Sequence, residues 1–556
     1  MLSRRRPSRI LVSSAIAVLA AAGLGIVSQP VGAQSFRVQC PSKTPLHATD
    51  TSGPYTGPVI RKGALTATNQ QTVDYVDNGG GIKCQQISGG DGFATMGDGT
   101  QTYLFGFGPL SGLADQFHGL PGTQPAHIFN QDNSAASVLS QMIAGAPSAA
   151  TTFNGAIGLV PDVEANNGSG TGGAPLDGHV DPRLIMDVGV MNAEIPAPTM
   201  AIDEDDEFFL TLTNVGMIMR PDLFEQHTIH FHGYPNASSF YDGVPDASVA
   251  IQIGGSFTYY YLAPDAGTYF WHCHITPPEH LQMGMVGQIF VRPRQNRVPI
   301  GSSLYASLNS QQQDLRTKCG ADVLCSTPLP KANNGVTQAV DPRALVDSVP
   351  QPQMYAYNDG DGSTAYDVEY PIQIHGFDPN FHFVGMTFNP EAFTDMKDKY
   401  FLLNGRSYPD TVSPGAMTTQ STDGTLHSSQ PLPTIINIPA GGKALLRISS
   451  LDVSEYQTLA SLGIPMHVIA LNARLLRDLA GNDMTYYTNS ITLGGGESLD
   501  VILDASDTTK YQSGQKFYLY TPNLDHLAND AENFGGLMTE VNICKTVDAV
   551  TKTCST

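Results

Sequence analysis

The stretch GTYFWHCHITPPEHLQMGM, residues 267–285, sets Cys273 between two histidines and follows them with a third histidine and a methionine. Upstream, HTIHFHG, residues 227–233, holds three more histidines. The chain of 556 residues has 15 histidines, and six of them fall between positions 227 and 280. On a β-strand successive side chains point to opposite faces. His230 and His232 therefore share a face, with His227 on the other. By the same rule His272 and His274 share a face and Cys273 points away. If the two strands are neighbours, one face collects His230, His232, His272 and His274. The other collects His227 and Cys273, and the loop that follows returns His280 and Met285 to them. Pro277 and Pro278 stiffen that loop.

The second set offers two imidazoles, a thiolate and a weak thioether, the donor set of a blue-copper electron-transfer site. A soft thiolate stabilises Cu(I), imidazole suits both oxidation states, and a trigonal frame changes little when one electron moves. The four-imidazole face suits one or more further coppers, with zinc as the competing ion. Zinc alone leaves the cysteine and methionine unexplained; the bland alternative for Cys273 is a buried structural thiol. Because His272 and His274 flank Cys273 in the chain, a short bonded path joins the two faces.

Around these motifs the runs FFLTLTN, SFTYYYL and VGQIFV are β-branched and aromatic and read as strands of a sandwich. A second set follows in YPIQIHGF, PTIINIPAGGKALLRISS, PMHVIALNARLL, ESLDVILDA, KFYLYTP and GLMTEVNI. The expectation is an all-β chain of two domains, 96–292 and 351–545, joined by a charged, proline-marked linker at 293–350. A loop-rich N-terminal extension is expected over 34–95, and a C-terminal tail over 546–556. The first domain carries a long Gly/Ala-rich insertion that includes NNGSGTGGAP, and GGGES (494–498) reads as a hairpin turn.

The N-terminus has a basic segment, MLSRRRPSR, an apolar run, ILVSSAIAVLAAAGLGIV, and a small-residue cleavage point after Ala33. This pattern predicts a signal peptide over 1–33 and an exported protein, periplasmic or secreted, with no membrane anchor after cleavage. Export permits disulfides, and Cys40–Cys84, Cys319–Cys325 and Cys544–Cys554 are the simplest pairing, with other connectivities open. Cys273 is left over. A net charge of -22 argues against nucleic acid or an anionic membrane as partner. Phosphate-binding loops, dinucleotide fingerprints, HExxH and GxSxG at a strand-to-helix turn are all absent from the sequence.

At the histidine motifs the sequence resembles the multicopper oxidases. HTIHFHG matches that family's HxxHxHG, HCHITPPEHLQMGM matches its HCH…HxxxGM, and IPAPTMAIDEDDEFFLTLTN resembles the strand that opens a family domain. The resemblance is strong over 200–292 and diffuse through the second strand set. It implies two cupredoxin-like Greek-key β-sandwich domains and a copper-dependent oxidoreductase. It also implies type 1 copper on His227, Cys273, His280 and Met285, type 2 copper on His230, and type 3 copper on His232, His272 and His274. Asp242 of YDGVP falls where the family keeps a carboxylate for proton delivery, although an Asp before Gly also caps turns. The implied partners are a phenolic or metal-ion electron donor and dioxygen, and two-domain relatives suggest a homotrimer by analogy.

Three departures accompany the resemblance. Five residues separate His274 from His280 where the common pattern has three. The type 1 cysteine lies in the first domain. The family's trinuclear cluster uses four HxH pairs, whereas this chain has two. Isolated His467 and His526 are the candidates for completing a smaller site. A copper nitrite reductase is the alternative enzyme, with His526 as an interface ligand. Against it, His230 stands where that family has a catalytic aspartate and Asn472 where it has a histidine. A non-catalytic electron-carrying cupredoxin is the third reading.

Overall fold

The computed structural model describes residues 37–44, 81–131, 153–161, 176–180, 182–233, 238–263, 265–298, 301–311, 328–331, 345–346, 349–350, 354–386, 392–420, 426–548 and 551–555. The expected signal peptide, the NNGSGTGGAP run and the Cys319–Cys325 pair lie outside them.

The β-branched and aromatic runs form strands, and each set closes into a two-layer sandwich. In the first, β1 (Ile82–Thr95) and β2 (Gln101–Pro109) are antiparallel. Next come β3 (Met200–Asp203), β4 (Glu207–Gly216), β5 (His230–His232), β6 (Ser256–Leu262), β7 (Gly267–His272) and β8 (Val286–Arg292). One sheet runs β2-β1-β4-β6 and the facing sheet β3-β8-β7-β5. The β1–β4 and β3–β8 pairs are parallel, so these mixed sheets require crossovers between layers.

β1 begins well inside the segment expected to be a loop-rich extension. Its Gly-Gly-Asp-Gly run, Gly89–Gly92, reads locally as a turn yet lies mid-strand. The glycines serve close approach instead: a Cβ on Gly89 would lie 2.8 Å from the His227 ring, and one on Gly92 3.0 Å from the Ala193 carbonyl oxygen. The outer side of this sheet is covered by a second apolar cluster containing Val38, Phe129, Phe153, Ile157, Leu184 and Ile185. That cover explains why β1 and β4 are buried almost throughout rather than alternating. Cys40 and Cys84 form a disulfide that fastens the 37–44 segment to β1, and Cys544 pairs with Cys554.

The second sandwich uses β9 (Val368–Phe377), β10 (Tyr400–Leu403), β11 (Ile436–Pro439), β12 (Lys443–Ser450), β13 (Gln457–Leu462) and β14 (Met466–Leu471). It is completed by β15 (Ser490–Leu493), β16 (Glu497–Asp504), β17 (Lys516–Tyr520) and β18 (Met538–Cys544). Its sheets run β10-β9-β12-β16-β14 and β11-β18-β17-β13-β15. GGGES is not a hairpin: it joins β15 in one sheet to β16 in the other. Among the described residues no helix is long and apolar enough to cross a membrane.

Between the domains lies a polar layer. Arg447 on β12 is fully buried, and its Nε donates to Glu369 Oε2 on β9 at 3.0 Å. Arg292 on β8 reaches the other oxygen of Glu369 at 2.5 Å. Thr268 on β7 donates to Asp500 on β16 at 2.5 Å, and Gln288 on β8 donates to the Arg447 carbonyl at 2.8 Å. Burial alone would raise the Glu369 carboxyl, but Arg292 and Arg447 outweigh it and hold the group down at about 2. A carboxylate depressed in the folded state stabilises above its unfolded value of 4.5 and loses that contribution as pH falls towards 2. Glu369→Gln is therefore expected to destabilise by about 3 kcal/mol at neutral pH. The difference from the parent should close between pH 4.5 and 2, as read from urea titrations across that window. A gap that stays constant over the range would contradict the assignment.

Candidate metal centre

The register of β5 against β7 fixes the site. Phe270 faces His232, Trp271 faces Phe231 and His272 faces His230 across the antiparallel pair. Just before β5, His227 is held by a two-way backbone bridge to Ile251, at 3.0 and 2.9 Å. Just after β7, the N–H of Cys273 donates to the Met285 carbonyl at 3.2 Å, and the N–H of Met285 donates to the His280 carbonyl at 2.8 Å. The segment expected as a stiffened loop is a short helix, α1 (Pro277–Gln282), with its prolines in the first turn, where the missing N–H groups lose nothing.

His227, Cys273 and His280 bring their donor atoms within 4.8 Å of one another, all three fully buried. His280 Nδ1 lies 3.3 Å from the Cys273 sulfur, and the N–H of Thr228 points at the same sulfur from 3.5 Å. Met285 is buried in the same cluster. Burial pushes the Cys273 thiol up to about 11 and His280 down to about 4. His227 is pushed down by burial and then by His280. Both ring nitrogens of His227 and Nε2 of His280 make no hydrogen bond. Buried imidazole nitrogens left without partners around a thiol are what a soft metal ion would satisfy.

On the other face His230, His232 and His272 form a second group whose donor atoms lie within 4.8 Å. His274 stands beside them, its ring 5.1 Å from that of His230 and stacked at 5.7 Å on His272. His230 donates through Nδ1 to the Asp242 carbonyl at 2.7 Å, and His272 donates through Nδ1 to the Cys273 carbonyl at 2.8 Å. Each bond leaves Nε2 free as a ligand, the arrangement by which outer hydrogen bonds orient metal-binding histidines. The Asp242 carboxylate lies 3.6 Å from the same His230 nitrogen and is part-exposed. Gly243 after it has φ +81°, and a Cβ there would sit 2.0 Å from the Ile229 carbonyl oxygen, so the turn at YDGVP requires glycine.

Residues 179–296 match the family model described as multicopper oxidase. Over these residues the chain is similar to a multicopper oxidase domain. A laccase of Aspergillus fumigatus is 27% identical over 199 residues, which is 30% of this chain and 32% of that protein. A multicopper oxidase of Talaromyces pinophilus is 31% identical over 112 residues, 20% of this chain and 17% of its own length. The chain thus spans a third or less of the curated relatives it matches. Among solved structures, the blue copper oxidase from Nitrosomonas europaea aligns over 64% of this chain and 78% of its own at 18% identity and a TM-score of 0.40. The copper nitrite reductase from the same organism aligns over 65% and 88% at 15% identity and a TM-score of 0.36.

Copper is the metal of a multicopper oxidase domain, and both donor groups fit it. The second domain, by contrast, places none of its described histidines in either group. His467 stacks on Tyr487 at 4.3 Å and bonds to Thr485, while His526 stacks on Phe401 at 4.0 Å and bonds to Glu455. Asn472 accepts from the N–H of Ser498. Residues that sequence reasoning missed include Gly89, which makes room for His227, and Glu225, whose carboxylate lies 3.8 Å from His280 Nε2. Gly89 sits in a local turn signal, so nothing in the sequence near it points to a histidine far along the chain.

Two substitutions test the first group. Cys273→Ser is expected to abolish the intense thiolate-to-copper absorption of the copper-loaded protein; a surviving blue colour would refute the ligand set. Gly89→Ala should displace the His227 ring and weaken copper binding at this group by about 10–100-fold. Copper at the imidazole face, followed by paramagnetic resonance, should persist in both.

Proposed function

We propose that this chain is an exported, copper-dependent oxidase that accepts single electrons from a phenolic or metal-ion donor and passes them to dioxygen. His227, Cys273, His280 and Met285 hold the electron-accepting copper in this reading, and His230, His232, His272 and His274 hold the copper of the oxygen-reducing face. Bound copper supplies one-electron redox chemistry at both places. The observation that carries the proposal is the pair of donor groups on opposite faces of one strand pair, joined through His272, Cys273 and His274.

The chain's own residues support each role. Cys273 lies between the two groups, so protein bonds alone connect them. His280 turns Nε2 towards part-exposed Glu225, and a donor approaches along that edge, where a carboxylate favours a cation or a phenolic hydroxyl. Asp242, part-exposed and beside His230, carries protons from solvent to the imidazole face. The disulfides Cys40–Cys84 and Cys544–Cys554 accord with export into an oxidising compartment.

One observation favours a second reading. The imidazole face is built by the first domain alone among the described residues, which suits a smaller copper site than a trinuclear cluster, as in a nitrite reductase, unless a neighbour in a homotrimer completes it.

Copper stoichiometry, visible and paramagnetic resonance spectra and gas uptake distinguish these. About four coppers per chain with oxygen consumption on a phenol or Fe(II) supports the oxidase. About two coppers, with nitric oxide made from nitrite, moves the assignment to a nitrite reductase. About one copper that cycles its colour without turnover leaves an electron carrier, and no copper refutes all three. Asp242→Asn should slow oxygen consumption at least about tenfold and leave the thiolate absorption unchanged; equal rates would remove Asp242 from the proton path.

A further inference from the structure

Two histidines of the second domain aim at one atom of the first. His382 Nε2 lies 2.9 Å from the carbonyl oxygen of Gln282, and His375 Nε2 lies 3.3 Å from it. Gln282 is the last residue of α1, two past His280, and a carbonyl at a helix C-terminus has no partner within its own helix. The Gln282 side chain is held as firmly. Its Nε2 donates to Asp398 Oδ1 at 2.9 Å, and its Oε1 accepts from the N–H of Asp378 at 3.2 Å. Gln282, His375, His382, Asp378 and Asp398 are all buried.

The clamp is itself well founded. His382 belongs to α2 (Pro379–Gly385), whose first turn is capped by Asp378 through the N–H groups of Asn380 and Phe381. Asp378 also accepts from the N–H of Lys397 at 2.7 Å. Phe381 of this helix enters the apolar cluster that contains Cys273, Met283 and Met285. The other nitrogen of His382, Nδ1, faces the Tyr103 carbonyl of β2; the neutral ring has one N–H and donates to one of the two carbonyls, and His375 is placed to donate to Gln282 in the other tautomer. None of these groups is a ligand in the reading above, yet together they hold the helix that carries one.

We propose that His382, supported by His375, is a positioning residue: by pinning the Gln282 carbonyl it fixes α1, and so sets the placement of His280 against Cys273 from the second domain. The copper part of this proposal rests on the copper reading of the first group; the placement itself does not.

The two nitrogens of His382 permit a clean test. A glutamine amide reaches the place of Nε2, and an asparagine amide reaches that of Nδ1. Site-resolved alkylation of Cys273 by iodoacetamide in metal-free protein reports opening of α1, because the thiol is fully buried. His382→Asn is expected to speed labelling about tenfold, with His382→Gln close to the parent. In copper-loaded protein His382→Asn should shift the thiolate-to-copper band and the reduction potential, and His382→Gln should not.

Equal labelling in the two variants, or an acceleration no greater than the loss of global stability measured by urea, would overturn the proposal. If His382→Asn does not fold, the pair His375→Asn and His375→Gln gives the same comparison at the longer contact. A parent protein that binds no copper would defeat the copper reading, while the alkylation comparison would still decide the clamp.

Discussion

Opposed residues of an antiparallel pair place their side chains on the same side of the sheet, and consecutive residues place theirs on opposite sides. The register that sets His272 against His230 therefore determines at once which donors meet on the outer face and which turn inwards. A slip of one residue would exchange the two faces and scatter both groups. The all-buried sequence of β7, GTYFWH, holds that register. Trp271 packs on Phe107 and Phe231, rings from two other strands, at 4.9 and 6.4 Å.

Burial then divides the labour between the groups. The inward group is wholly enclosed, and both ring nitrogens of His227 and Nε2 of His280 make no hydrogen bond there. The outward group keeps His232 exposed and His230 half-buried, open to small molecules and to protons. The same strand pair thus presents one enclosed donor group and one open to solvent. The peptide between His272 and His274 is the boundary. The second domain adds enclosure on the inward side: α2 closes over α1, and the charged layer around Arg447 keeps the two sandwiches in one orientation.

Much of the site was legible because its signals are local. Alternation along HTIHFHG and WHCH sorts the ligands by face without any tertiary information, and short strand-like runs separated by turns point to sandwiches. What stayed hidden depends on contacts across long stretches of chain. The glycines of β1 have the composition of a turn, and only the His227 ring and the Ala193 backbone explain them. GGGES looks like a hairpin because hairpins and inter-sheet crossings share the same small residues. The prolines at 277 and 278 stiffen a loop or begin a helix with equal ease. His375 and His382 read as scattered histidines, since the carbonyl they approach has no signature of its own. The motif reading also offered His467 and His526 as completing ligands, but each is stacked on an aromatic ring, and neither joins the imidazole group among the described residues.

Phe381 has a consequence for the boundaries of this protein. The family match ends at residue 296, which invites cutting the chain there to obtain a minimal copper domain. That fragment would lack an aromatic side chain from the core around Cys273 and Met285, and it would expose the Gln282 carbonyl and the Arg292 guanidinium. The unit recognised by its motifs is therefore smaller than the unit that packs around the site. Insertions or domain exchanges that respect the motif boundary would still leave α1 without its lid.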